Sequence, residues 1–170
     1  MKIYTKISLI LLIPLFVGLS GCVKYDEYPI IPHIDYAGFA TMRDITGKDS
    51  IGVITISYTD GDGNIGIFPW DTLPPLKYNY FLKFYQYIDG LPVEVLPVQD
   101  SSGVTFNARI PNLTPKGKNK NIKGDIANTL ELYFARQILK SDIISFEIYI
   151  EDRDFNKSNV VTTPQFVIKK

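Results

Sequence analysis

Little in this sequence is equipped for catalysis. The single cysteine, Cys22, excludes an intrachain disulfide, because no second thiol exists to pair with it. The single histidine, His33, sits beside Pro32 ahead of the predicted folded domain, so that domain has no imidazole for a Ser/His/Asp triad. A zinc site would have to depend on carboxylates, a poor expectation. There is no Gly-x-Ser-x-Gly elbow, and no glycine-rich phosphate loop precedes a helix. An excess of one charge is missing too. Lys and Arg number 18 and Asp and Glu number 18, which argues against a nucleic-acid surface and against a basic membrane patch. A carboxylate-only glycosidase would have to use Glu131 or Glu147 with Asp125. Those residues alternate with apolar positions, as ordinary outward-facing strand residues do. The expectation is a protein that is not an enzyme.

A long apolar run is also lacking. The stretch Ile7–Val17 is too short to cross a bilayer as a helix, which needs about 20 apolar residues. Lys2 and Lys6 precede it and small residues follow, the pattern of a secretory signal peptide over residues 1–21. The run Leu19-Ser20-Gly21-Cys22 resembles the lipobox of bacterial lipoproteins. That resemblance implies cleavage before Cys22 and acylation of its thiol by palmitate-type chains. Two or more such chains suffice for lasting attachment to a membrane the protein does not span. Residues 22–36 then read as a lipidated, extended tether, because Pro29 and Pro32 discourage helix. Lys24, Asp26 and Glu27 resemble the acid-rich export signal that sends lipoproteins of the Bacteroidota to the outer face of the outer membrane. They equally suit a solvated linker.

What is plentiful in residues 37–170 favours strands. The chain holds 11 Tyr and 10 Phe, while 11 prolines and 12 glycines cut it into short pieces. Period-two alternation marks Val53–Tyr58, Val104–Ile110, Asp125–Leu132 and Ser145–Glu151. Further strands are expected at Ala37–Arg43, Tyr78–Ile88, Val93–Val98 and Val160–Ile168, with at most one helical turn in Ala135–Ser141. Turn chemistry at Thr46-Gly47, Asp60–Asn64, Asp89-Gly90, Ser101–Gly103 and Asn156–Asn159 separates them. The expectation is an all-β, antiparallel, immunoglobulin-like β-sandwich of seven or eight strands. The paired cysteines and core tryptophan of immunoglobulins are absent, since Trp70 lies in a loop-like stretch between Pro69 and Pro74.

Three segments carry a wider resemblance: Ser57-Tyr58-Thr59-Asp60-Gly61-Asp62-Gly63-Asn64-Ile65-Gly66, Asn107–Pro115, and Phe146–Arg153 with Lys157–Pro164. Together they are similar to a group of small outer-membrane lipoproteins of the Bacteroidota. The resemblance implies an exported, lipid-anchored β domain and brings no catalytic residues with it.

The first of these segments is also a candidate metal site. Asp60, Asp62 and Asn64 fall at alternate positions and Asp71 follows eleven residues after the first, oxygen ligands at the spacing calcium takes in an EF-hand loop. Ile65 stands where that loop needs glycine, and flanking helices are not predicted, so a true EF-hand is not expected. Calcium held with help from Glu151, Asp152 or Asp154 is one alternative. A glycine-rich turn whose Asp and Asn side chains bond their own backbone is the other. Asp49-Ser50-Ile51 and Asp71-Thr72-Leu73 resemble Bacteroidota O-glycosylation sites, with Ser50 and Thr72 as acceptors. Tyr78, Tyr80, Phe81, Phe84, Tyr85 and Tyr87 put aromatics on both faces of one strand. One face is expected in the core; the other could stack on a sugar or take a covering loop such as Phe68–Leu76. Lys116, Lys118, Lys120 and Lys123 read as a solvated run.

The functional expectation is a non-enzymatic lipoprotein anchored in the outer membrane and facing the cell exterior. It would serve as an accessory or scaffold subunit of an envelope complex, with a protein partner and no nucleic acid. The alternative is a glycan- or calcium-dependent ligand-binding module.

Overall fold

The computed structural model describes residues 27–97, 105–116 and 120–170. Its body is an all-β sandwich of two antiparallel sheets. In the first sheet β1 (His33–Arg43) pairs with β2 (Asp49–Asp60), which pairs with β5 (Ile122–Glu131). In the second the order is β4 (Leu91–Glu94), β3 (Tyr80–Ile88), β6 (Ile143–Ile150) and β7 (Val161–Thr162). A last strand, β8 (Phe166–Val167), pairs with β6 farther along the edge that β7 occupies. The chain changes sheet after β2, after β4 and after β5. This is the immunoglobulin-like arrangement, in which the first, second and fifth strands face a sheet centred on the third and sixth. Among the described residues no helix is long and apolar enough to cross a membrane.

Alternation explains the core. Ile54 and Ile56 of β2 are fully buried, and so are Ile144, Phe146, Ile148 and Ile150 of β6. Tyr80, Leu82 and Phe84 of β3 fill the layer between the sheets, and Phe39 of β1 meets Phe146 with ring centroids 5.5 Å apart. These large side chains supply most of the area removed from water, the main favourable contribution to folding. Leu132 and Ala135 bury one face of a short helix, α1 (Leu132–Ile138), and the buried Leu139 follows its end. The Arg136 guanidinium in its last turn lies 3.0 Å from Asp44.

Several expected elements are placed differently. The sandwich begins before Ala37, because His33–Tyr36 already pair with Tyr58, Thr59 and their neighbours and Ile34 is fully buried. Residues 33–36, expected in the tether, therefore belong to β1. Thr105–Ile110 is not a continuous strand. Its backbone meets Tyr80 only at Ala108, and side chains replace the ladder around it. The Asn107 Oδ1 accepts the Leu82 N–H at 3.1 Å, and the Asn79 Oδ1 accepts the Ile110 N–H at 2.7 Å. The alternation expected through Leu132 stops at Glu131, after which α1 begins, so the helix lies earlier than Ala135–Ser141. The expected strand Val160–Ile168 is split into β7 and β8 around Pro164, which has no N–H to donate. Side chains again fill gaps along this edge: the Thr163 Oγ1 accepts the Phe146 N–H and the Ser158 Oγ accepts the Ile150 N–H, each at 3.0 Å.

Candidate functional site

One pole of the sandwich gathers the most unusual chemistry. Here β2 ends at Asp60, β6 ends at Ile150, β5 begins at Ile122, and the chain arrives at β1. The Gly61 N–H donates to the Pro29 carbonyl at 2.8 Å, and the Tyr28 N–H donates to the Asn121 Oδ1 at 2.9 Å. A side chain at Gly61 would collide with the Tyr28 carbonyl oxygen. The glycine is what lets the incoming chain lie against the loop.

Within the loop, the Asn64 N–H donates to the Asp60 Oδ2 at 3.0 Å. The Asn64 amide nitrogen donates twice, to the Asp62 Oδ2 at 3.1 Å and to the Asp154 Oδ2 at 2.9 Å. Gly63, at φ +67°, supplies the left-handed turn between Asp62 and Asn64. Asp60 is fully buried, Asn64 is 9% exposed and Asp62 is half-buried. Each still has one buried oxygen without a hydrogen-bond partner: the Oδ1 of Asp60, of Asp62 and of Asn64. Burial and the neighbouring Asp62 push the Asp60 carboxyl up to about 6, with a smaller upward contribution from Asp152. The Asn64 and Ile65 N–H groups act in the opposite direction.

The second loop, after β6, is organised by Asp152. Its Oδ1 accepts the N–H groups of Asp154 and Asn156, and its Oδ2 accepts the Asn156 side-chain amide at 2.8 Å. Both Asp152 oxygens are therefore engaged, while Asp154 is exposed and reaches Asn64. Arg153 directs its guanidinium to the Gly66 carbonyl at 2.7 Å and to Asn112 Oδ1 at 2.9 Å, and it also bonds the Thr114 hydroxyl. It lies 5.1 Å from the centre of the Phe68 ring, on which the exposed Trp70 stacks at 4.8 Å. Nothing in the sequence singled out Arg153. Its position between Asp152 and Asp154, in a segment rich in turn residues, is the one feature that sets it apart in the sequence.

The remaining candidates are dispersed. Asp71 belongs to its own turn, where its Oδ2 accepts the Phe68 N–H at 2.9 Å; the acid that contacts the Asp60 loop through Asn64 is Asp154. The turn from Phe68 to Asp71 thus engages one oxygen of the carboxylate that stands at the last position of the EF-hand spacing. Cys22 lies outside the described residues, as does Lys118. Lys120 donates to the Pro115 carbonyl at 2.8 Å. Thr72 is exposed in a loop, whereas Ser50 is half-buried at the start of β2 and donates its hydroxyl to the Met42 carbonyl. His33 lies on β1, its imidazole 3.6 Å from Asp35. Asp125 and Glu147 lie on the outer faces of opposite sheets, and Glu131 lies six positions from Asp125 along β5, roughly 20 Å of strand, so neither pair has the spacing of a glycosidase.

On β3, Tyr80 and Phe84 face the core, as expected of one face of the aromatic strand. The outer face is half-buried and engaged by its neighbours. Phe81 stacks on Tyr149 at 4.7 Å, Tyr85 bonds Glu147 and Tyr87 bonds Ser145. Lys157 sits 3.7 Å above the Tyr149 ring. The Phe68–Leu76 loop is held by Arg109, which donates to the carbonyls of Phe68 and Asp71. Between the sheets a cavity of about 590 Å³ is lined by Phe84, Phe106, Asn128, Leu130, Leu132 and Ala135 among others.

No family model matches the chain, and no curated protein or solved structure matches it.

Proposed function

We propose that the protein is a non-enzymatic lipoprotein, anchored in the outer membrane through Cys22 and displayed toward the cell exterior, where its sandwich serves as an accessory or scaffold subunit of an envelope complex. The observation that carries this reading is the docking of Tyr28 and Pro29 on the Asp60 pole. Cys22 precedes Tyr28 by six residues, a reach of at most about 20 Å for extended chain. Acyl chains on Cys22 would therefore hold this pole next to the headgroups. The opposite pole and the open sheet edges would be turned outward. All four residues of β4 are exposed, Leu91 and Val93 among them, so its edge suits strand addition by a protein partner.

The test is affinity purification of the full-length protein from detergent-solubilised membranes after mild cross-linking. A stoichiometric envelope protein that is lost when Glu94, whose N–H points away from β3, is replaced by Pro supports the subunit reading. Recovery of the protein alone contradicts it. The cavity lined by Phe84 and Asn128 favours a second reading, a binding module for a small ligand such as a glycan. Glycan arrays separate the two, since only the second requires a positive spot.

A further inference from the structure

The Asp60 loop presents a problem that its own hydrogen bonds do not solve. A buried carboxylate oxygen without a donor is costly, and three buried side-chain oxygens in this one loop have none. They are the same atom, Oδ1, of residues at alternate positions: Asp60, Asp62 and Asn64. The second oxygens of Asp60 and Asp62 are occupied by the N–H and the amide of Asn64. That amide gives its remaining contact to Asp154, which leaves only its carbonyl oxygen uncommitted. Asp60 is fully buried and Asn64 more than nine-tenths so, which places these acceptors beyond the reach of bulk water. The Asn64 and Ile65 N–H groups act on the Asp60 carboxyl, yet the three Oδ1 atoms have no donor, and a cation answers several such oxygens at once.

We infer that this pole binds a calcium ion through the Oδ1 atoms of Asp60, Asp62 and Asn64, with backbone and water oxygens completing its shell. Among the described residues no three His, Cys, Asp or Glu side chains are close enough to hold a metal by themselves. The inferred set differs from that pattern because its third member is an amide. Calcium accepts mixed carboxylate, amide, backbone and water oxygens in a flexible shell of six to eight, whereas magnesium demands near-octahedral geometry and keeps its waters. The all-oxygen donor set excludes a preference for zinc, which favours nitrogen and sulfur. Calcium would brace the loop after β2, which Asn64 ties to Asp154 of the second loop, next to the Gly61 contact that secures the incoming chain. The inference stands whether or not Cys22 carries lipid.

Full-length protein in detergent, stripped with chelator, is titrated calorimetrically with calcium chloride and separately with magnesium chloride. One calcium per chain is expected, with Kd at or below the roughly 10⁻⁴–10⁻³ M of extracellular modules, and weaker magnesium binding. Asp62→Asn, at a half-buried position, is expected to weaken calcium at least about tenfold, which is ~1.4 kcal/mol, while its circular dichroism stays native. Asp71→Asn is expected to leave calcium affinity unchanged. The inference is overturned if no heat or melting shift appears up to about ten times the upper end of that range. It is equally overturned if binding survives both Asp62→Asn and Asp60→Asn at full strength, or if Asp71→Asn is the variant that removes it.

Discussion

Asn64 and Asp154, ninety positions apart in the chain, meet at 2.9 Å and tie the loop after β2 to the loop after β6. The same amide also holds Asp62, and the Asn64 backbone N–H caps Asp60. Replacing Asn64 with Ala removes both side-chain contacts and leaves carboxylate oxygens facing each other. The expected loss is about 1–3 kcal/mol in urea unfolding at neutral pH, the range for a buried polar network deprived of one partner. Asp154→Ala, at an exposed position, is expected to cost less. Equal losses for the two variants would contradict the central place given to Asn64.

The glycines of this pole are not equivalent to those elsewhere. Gly66 adopts φ +92° and a Cβ there would collide with the Pro111 carbonyl; Gly90 adopts φ +78° with open space around it. Gly90→Ala therefore carries only the strain of the left-handed backbone, of order 1 kcal/mol. Gly66→Ala adds the collision and is expected to cost at least about 3 kcal/mol. Thermal melts of the two variants side by side check the difference, and similar shifts would count against the close approach of the two segments.

Along the outer edge of β6, hydroxyls stand in for missing strand. Thr163 is 5% exposed and its Oγ1 accepts the Phe146 N–H. Thr163→Val keeps the shape and strands a buried donor, with an expected loss of about 1–3 kcal/mol. Amide hydrogen exchange should speed up at Phe146 in this variant. Unchanged exchange there would show that the bond contributes nothing.

At the far pole, Asp49 is buried to 3% exposure and accepts the Lys169 N–H at 2.8 Å and the Thr41 hydroxyl at 2.9 Å, with Arg43 at 3.5 Å. Burial alone would raise its carboxyl, but these donors outweigh burial and hold it below the usual carboxylate range. Because the folded state favours the ionised form, the stabilisation is present above the unfolded pKa of about 3.9 and is lost as pH falls through the lower folded value. Asp49→Asn is expected to be less stable than the parent at neutral pH. Its stability should also fall less steeply below about pH 4. Parallel acid limbs in urea titrations of parent and variant would contradict the assignment.

The parts of this fold that the sequence announced are those with one buried face and an uninterrupted ladder. Ile54 and Ile56 on β2, and Phe146, Ile148 and Ile150 on β6, alternate with outward residues because the sheets demand it. The same alternation over Thr105–Ile110 was misleading. There the backbone partners are the side chains of Asn79 and Asn107, and period two cannot distinguish a ladder from its substitutes. The start of β1 was hidden behind Pro29 and Pro32. Ile34 is fixed there by Asn159, which both accepts its N–H and donates to its carbonyl, a partnership 125 positions away. For the candidate site, the spacing of Asp60, Asp62 and Asn64 was visible, and Asp154 was one of three acids that stood to join them. Which one would do so depended on Asp152 turning the second loop, a tertiary fact. Asp71 fitted the spacing and was claimed by its own turn.

The proposed attachment of this sandwich to a membrane through Cys22 is tested most directly by intact-mass spectrometry of the protein purified from detergent-solubilised cells. The account predicts a chain that begins at Cys22 and carries the added mass of two or three acyl chains on that residue. A chain that retains Met1, or one that begins at Cys22 with a free thiol, would contradict it.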